Sequence, residues 1–367
     1  MTGKEKWRKF LAGDDVGPMV CPLCDKWGVG DVEYKWLADE PEPFTDEEDR
    51  KPLLGQIMMA KKFKWDPLFY SAIHFRPVDQ SLEPTIEKRN AGGRTQTITT
   101  IHTPLGDLTR VDEDNGMTIR CTKDYLVDEA DYEKMLWLTT QDFQVEAALA
   151  EGRRLRAAAG ELEMMGTWVS PSVNMTDIQS LYYHAMDFPK AFSLLRDARR
   201  KQLRRQLKLY REAGFDFLFY CVPGTDMTSP GFFREWMAEE VKENIEWWKS
   251  LGGFTLWHAC GHVKAFLEQD IYNEMHPEIL ETLSEPPVGN IPSLAWARER
   301  LDDNIISKGN IPLDILLEGS PDDVRGAVRK VKESTKGYRH IIGLSDNILN
   351  GTPENNLIAF VNEGYIT

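Results

Sequence analysis

The stretch Trp257-His258-Ala259-Cys260-Gly261-His262 closes an apolar run that begins Phe254-Thr255-Leu256, and it carries an imidazole and a thiol two residues apart. In an extended strand, side chains at i and i+2 point to the same side, so His258 and Cys260 can address one point while Trp257 and Ala259 pack behind them. Imidazole nitrogen and thiolate sulfur are donors that zinc prefers. Gly261 then lets the chain turn, and Val263-Lys264-Ala265-Phe266-Leu267 begins a helical pattern. A core cysteine beside a histidine satisfied by a backbone carbonyl fits the same residues. The elements around the pair have to decide between these readings.

The chain of 367 residues is 41% hydrophobic, enough for a sizeable core and within the span of one large α/β barrel. No apolar run reaches the length of a membrane span, and the start Met1-Thr2-Gly3-Lys4-Glu5-Lys6-Trp7-Arg8 is charged, which predicts a cytoplasmic protein. Cys21, Cys24, Cys121, Cys221 and Cys260 are an odd, sparse set of five, as expected of reduced thiols. Cys21-Pro22-Leu23-Cys24 has no second such pair to complete a zinc site, so two reduced thiols near a strand end are the simpler reading. A net charge of -15 argues against nucleic acid and anionic membranes as partners. The basic run between Arg196 and Arg211 interleaves with Leu195, Leu203 and Leu207 at helical spacing, which marks a solvated helix face.

Along the chain, residues up to about Leu11 read as a short helix and Pro18 to Leu23 as a first strand. The acidic, proline-bearing segment Asp39 to Arg50 reads as a surface loop entering a helix. Asp66 to Ile73 gives a second strand. Residues from about 95 to 122 alternate in β fashion around Pro104-Leu105-Gly106-Asp107 and Asp114-Asn115-Gly116, which predicts an antiparallel hairpin insertion. Strands are then expected at Met165–Val169, Phe215–Val222, Phe254–Cys260, Glu278–Leu283, Asn304–Ile311 and Arg339–Asp346. Helices alternate with them, among them Phe188 to Ala213, one with Phe233, Met237, Val241, Ile245 and Trp248 on its buried stripe, and one capped at Ser320 with Val324, Val328 and Val331 on one side. About eight such units predict an α/β fold, a (β/α)8 TIM barrel with an N-terminal extension and the hairpin insertion, in a single domain over 1–367. Active sites of such barrels gather at the C-terminal strand ends, where His258, Cys260 and Asp346 fall.

Three segments, His258-Ala259-Cys260-Gly261, Gly309-Asn310-Ile311-Pro312 and Ile342 to Leu357 with its Gly343-Leu344-Ser345-Asp346 and Gly351-Thr352-Pro353-Glu354, together resemble the uroporphyrinogen decarboxylase superfamily, which includes the zinc-dependent methyltransferases of corrinoid pathways. The resemblance runs from about Gly166 onward, with Ser229-Pro230-Gly231-Phe232-Phe233 matching the entry into a barrel helix. Decarboxylases of this superfamily hold their polycarboxylate with arginines after the first strand. Here that place reads Val20-Cys21-Pro22-Leu23-Cys24-Asp25-Lys26, which lacks the clamp. The methyltransferases carry a His-x-Cys-Gly strand end, present here, and a second cysteine in the last strand, where this chain has Asp346.

The resemblance therefore implies a zinc-dependent methyltransferase that moves a methyl group between a small substrate and a corrinoid carried by a partner protein. His258, Cys260 and Asp346 are the expected catalytic and metal-binding residues. A carboxylate in place of a thiolate makes the site harder, which favours an oxygen-linked methyl donor. Asp346 is equally well placed to cap the turn before Ile348. Glu281, at another strand end, is a support for a ligand, a fourth ligand or an ordinary surface residue. Trp168, Tyr182 and Tyr183 are candidates for an aromatic substrate wall, with core packing as the plain alternative, and Asp226 and Asn310 are further substrate-binding candidates. The rival readings are a decarboxylase-like lyase acting on a smaller carboxylate and a non-catalytic barrel that binds a ligand; a homo-oligomer stays open.

Overall fold

The computed structural model describes residues 1–24, 51–116, 119–173, 178–222, 228–349 and 351–367. The segment Asp39 to Arg50 and Asp226 lie outside the described residues. Contacts along the chain divide it into two compact units, one of residues 1–72, 153–170 and 214–367, the other of residues 73–152 and 171–213.

The first unit is built on an all-parallel sheet. Its strands are β1 (Met19–Val20), β2 (Leu68–Tyr70), β7 (Met164–Val169), β8 (Phe217–Cys221), β9 (Phe254–Ala259), β10 (Ile279–Thr282), β11 (Ile306–Ile311) and β12 (His340–Leu344). The eight lie in the order β1-β12-β11-β10-β9-β8-β7-β2, the arrangement of a TIM-barrel-like fold. β9, β10 and β11 are buried at every position, as strands covered on both faces must be. The eight strands read from the sequence are these eight. Side chains on alternate positions, Met164, Phe217, Phe254, Ile279, Ile306 and Ile341, form one apolar cluster. The helix Gly3–Ala12, started by a capping box between Thr2 and Glu5, adds Trp7 and Phe10 to it. At Gly166 the close packing forbids a side chain, since a Cβ would lie 2.5 Å from the Phe217 ring.

The ends of the sheet, β1 and β2, meet through one residue. Asp66 donates its backbone N–H to Val20 O at 2.7 Å, and its Oδ2 accepts from Val20 N–H at 3.0 Å and from the Tyr365 hydroxyl at 2.9 Å. Its Oδ1 pairs with Lys6 Nζ at 2.7 Å. Pro67 follows and has no N–H to offer, so the carboxylate takes over the bonding of a strand start.

One expected helix is two. The stripe from Phe233 to Trp248 is divided into Pro230–Trp236 and Ala238–Ser250, with Met237 at φ -124 between them. The break leaves Phe233, Met237, Val241, Ile245 and Trp248 all buried, so burial could not announce it.

The second unit carries the insertion, and here the sequence reading needs correction. The element is not a hairpin over 95–122 but a four-stranded antiparallel sheet of β3 (Thr85–Ala91), β4 (Arg94–Ile101), β5 (Leu108–Asp114) and β6 (Ile119–Lys123). β3 reads Thr-Ile-Glu-Lys-Arg-Asn-Ala, too polar to signal a strand. Its pairing follows from the two-residue turn Gly92–Gly93, both glycines at positive φ, which matches the twist of a tight hairpin.

Candidate functional site

Three neighbouring strands of the first unit place His258, Glu281 and Lys308 in one row. In the parallel register Glu281 stands opposite His258 on one side and opposite Lys308 on the other. All three are buried, Glu281 fully. Glu281 Oε1 lies 2.6 Å from His258 Nδ1, and its Oε2 forms a close ion pair with Lys308 Nζ. Burial pushes the Glu281 carboxyl up, but the Lys308 ammonium and the bond from His258 outweigh it and hold the group below its ordinary value. Burial disfavours the charged imidazole, yet bonds to Cys260 and Glu281 raise His258 to about 10. The row is thus a buried carboxylate held between the His258 ring and the Lys308 ammonium.

Cys260 lies just past the end of β9, two residues on from His258, and it contributes to the raised pKa of the imidazole. Trp168, at the end of β7, has its ring 4.6 Å from Phe219 and 6.2 Å from His258, and it is 43% exposed. Phe219 lies 5.5 Å from His258 and stacks on Tyr70 at 4.9 Å. An aromatic wall therefore flanks the buried imidazole, and the Trp168 side of that wall faces solvent.

The other expected residues fall as follows. Asn310, two places beyond Lys308, is buried and donates from Nδ2 to Leu283 O at 2.7 Å. Asp346 lies in the turn after β12, where its Oδ1 accepts from Asn347 N–H at 2.7 Å, the turn-capping role. Its charge acts on both Lys308 and Cys221. Tyr182 and Tyr183 belong to the helix Ile178–Asp187 of the second unit, where Tyr183 is 61% exposed. Glu281 is not a surface residue but fully buried, with one oxygen on His258 and the other on Lys308.

Lys308, Phe219 and Cys221 were not singled out from the sequence. Cys221 ends β8 opposite His258 in register, and burial, with Cys260, Glu281 and Asp346 nearby, pushes its thiol above the ordinary value. The signal for Lys308 was a charged residue at an inward alternate position of a strand otherwise read as fully buried.

Zinc is tested by these donors. A carboxylate on Nδ1 is the support that metal-binding histidines commonly have, and Cys260 reaches the same ring. The third donor is not brought in: among the described residues no group of three or more His, Cys, Asp or Glu side chains could hold a metal ion. His258 and Cys260 fit zinc; Asp346, turned to Asn347, would have to rotate.

Beside the row, His340 of β12 fixes the end of β11. Its Nε2–H donates to Gly309 O at 2.7 Å and its Nδ1 accepts from the Ser307 hydroxyl at 2.7 Å. Burial, together with Arg298 and Lys308, lowers its pKa from 6.5 to about 3. A histidine with a depressed folded pKa binds its proton more readily in the unfolded chain, so its contribution is intact above about 6.5 and is lost as pH falls toward about 3. Between pH 7 and pH 5 this predicts a loss of about 1–2 kcal/mol in unfolding free energy. Urea titrations at the two pH values check it, and His340→Gln should flatten the difference; an equal pH dependence in both proteins would refute the assignment.

A sequence model of the uroporphyrinogen decarboxylase (URO-D) family matches residues 98–364. The chain belongs to this family. Curated members similar to it include uroporphyrinogen decarboxylases of Prochlorococcus marinus (strain NATL1A), 34% identical over 92 residues, and of Synechococcus sp. (strain CC9902), 31% identical over 113 residues. The matched stretches cover 23% and 26% of this chain, and they span 26% and 32% of those proteins. The fold is similar over the whole length to that of a methyltransferase from Methanosarcina mazei, with a TM-score of 0.63 and 17% identity, covering 99% of this chain and 98% of that one. Among the described residues of this URO-D family chain no helix is long and apolar enough to cross a membrane.

Proposed function

We propose that this URO-D family chain is a zinc-dependent methyltransferase that moves a methyl group between a small, oxygen-linked methyl substrate and a corrinoid carried by a separate protein. The observation that carries the reading is the carboxylate-braced imidazole of Glu281 and His258, with the Cys260 thiol two residues on at the strand end. His258 and Cys260 would hold zinc, with Asp346 as the third ligand. When bound, zinc would supply a Lewis acid for the oxygen that loses its methyl group. Glu281 fixes the ring orientation of His258, and Lys308 keeps Glu281 ionised. Trp168 and Phe219 offer an apolar face to the substrate and exclude water from the imidazole. The exposure of Trp168 supports access for a corrinoid partner.

Metal analysis tests this reading. Purified protein is expected to carry stoichiometric zinc, and Cys260→Ser is expected to lose it with little change in folding. Absence of zinc, or its full retention in Cys260→Ser and Asp346→Ala, sinks the proposal. With zinc present, loss of the reduced-cobalamin absorbance on mixing with methoxylated compounds separates an enzyme from a barrel that merely binds them.

A second reading, a lyase acting on a small carboxylate without metal, is favoured by the raised pKa of His258. In that case Asp346 and His258 would handle the protons. Zinc content distinguishes the two.

A further inference from the structure

Directly after Glu281 the chain turns through two left-handed residues, Thr282 at φ 77 and Leu283 at φ 48, and then reaches Ser284. All three are buried. Neither left-handed residue is glycine, and a β-branched side chain in that region strains the backbone. Such a conformation persists only where the surroundings hold it. Here the neighbouring strand ends do so. Thr282 stands opposite Ala259 as the last pair of β9 with β10, and its hydroxyl donates to Ala259 O, with Glu281 O on its other side at 2.6 Å. Leu283 O accepts from Asn310 Nδ2 at 2.7 Å, which ties the turn to β11. Ser284 Oγ donates to Ser345 O at 2.8 Å, which ties it to the end of β12.

The two carbonyls that take these hydroxyls have a common position. Ala259 O belongs to the peptide that leads into Cys260, and Ser345 O to the peptide that leads into Asp346. Each bond therefore fixes the backbone from which a candidate ligand projects. A glycine at 282 would take the left-handed φ freely but has no hydroxyl to give. The strain thus accompanies a donor that the turn needs. We infer that the Thr282–Leu283–Ser284 turn is the positioning element of the candidate metal site, gripping the loops of Cys260 and Asp346 while Glu281, one residue earlier, orients His258. Thr282 and Ser284 act through backbone carbonyls and are positioning residues. The inference rests on the zinc reading for the role of the ligands, but the grip on Cys260 is measurable without metal.

Cobalt(II), which takes zinc sites and absorbs in the visible, is the probe for the full chain. Thr282→Gly and Ser284→Ala should each weaken cobalt binding about tenfold, and Thr282→Ser, which keeps the hydroxyl, should restore it to within about threefold of wild type. Thr282→Gly should leave the urea midpoint near the wild-type value, because relief of the left-handed strain offsets the lost hydrogen bond. A merely structural threonine would do the reverse, lowering the midpoint and leaving cobalt binding alone. Ser284→Ala, which keeps the left-handed pair, carries the test should the glycine perturb the fold. In chelator-treated protein, alkylation of Cys260 by iodoacetamide, followed by peptide mass spectrometry, should quicken at least about threefold in Thr282→Gly while that of Cys121, on the separate antiparallel sheet, stays unchanged. Unchanged Cys260 alkylation in Thr282→Gly, or wild-type cobalt affinity in both Thr282→Gly and Ser284→Ala, overturns the inference. A wild type that takes up no cobalt sinks the zinc reading, and the alkylation rates then decide this one.

Discussion

Glu281→Ala is expected to lower the unfolding free energy by about 3–5 kcal/mol, the effect of stranding buried charge without its partner. The carboxylate sits fully buried between the His258 imidazole and the Lys308 ammonium, and among the described residues it is the acid that neutralises both. Removing it leaves Lys308, itself 2% exposed, as an uncompensated cation in the barrel interior. Because the folded pKa of Glu281 lies below its ordinary value of 4.5, its contribution is present at neutral pH and is lost as pH falls through that folded value. Urea denaturation at neutral pH measures the loss. Glu281→Leu combined with Lys308→Met should recover most of it, since a buried pair exchanged for apolar side chains of similar volume is often nearly neutral. A loss under about 1 kcal/mol in the single variant would contradict the buried-row assignment.

Asp66→Ala is expected to be the next most damaging change, at about 2–3 kcal/mol. One carboxylate there serves Val20 N–H, the Tyr365 hydroxyl and the Lys6 ammonium, at the seam where β1 and β2 share no strand ladder. Truncation frees three donors from the N-terminal helix, the first strand and the last helix together. Asp66→Asn keeps an acceptor for Val20 but loses the ion pair, so it should fall between wild type and alanine. Chemical denaturation of the three proteins orders them, and an alanine variant as stable as the asparagine one would show that the side chain does not hold the seam.

The fold was largely legible because parallel strands covered on both faces must be apolar throughout. Phe217 to Cys221 is such a run, and the eight strands of the parallel sheet stand where the sequence placed them. β3 escaped because an exposed strand needs no apolar pattern, and its partner is chosen by the Gly92–Gly93 turn and by β4. The break at Met237 escaped for the opposite reason, since both halves bury the same stripe.

For the site, residue type and two-residue spacing put His258 and Cys260 together at the end of β9. Those features are local, so the backbone period suffices to read them. Only the tertiary structure decided what stands opposite. Glu281 is 23 residues from His258, and Lys308 is 27 from Glu281. Strand register is what makes them neighbours, and register is a property of the whole sheet. The same holds for Asp346, whose residue type suited a metal and whose turn gave its oxygen to Asn347. A carboxylate's chemistry is written in the sequence, but its partner is chosen by whichever donor the fold brings within about 3 Å.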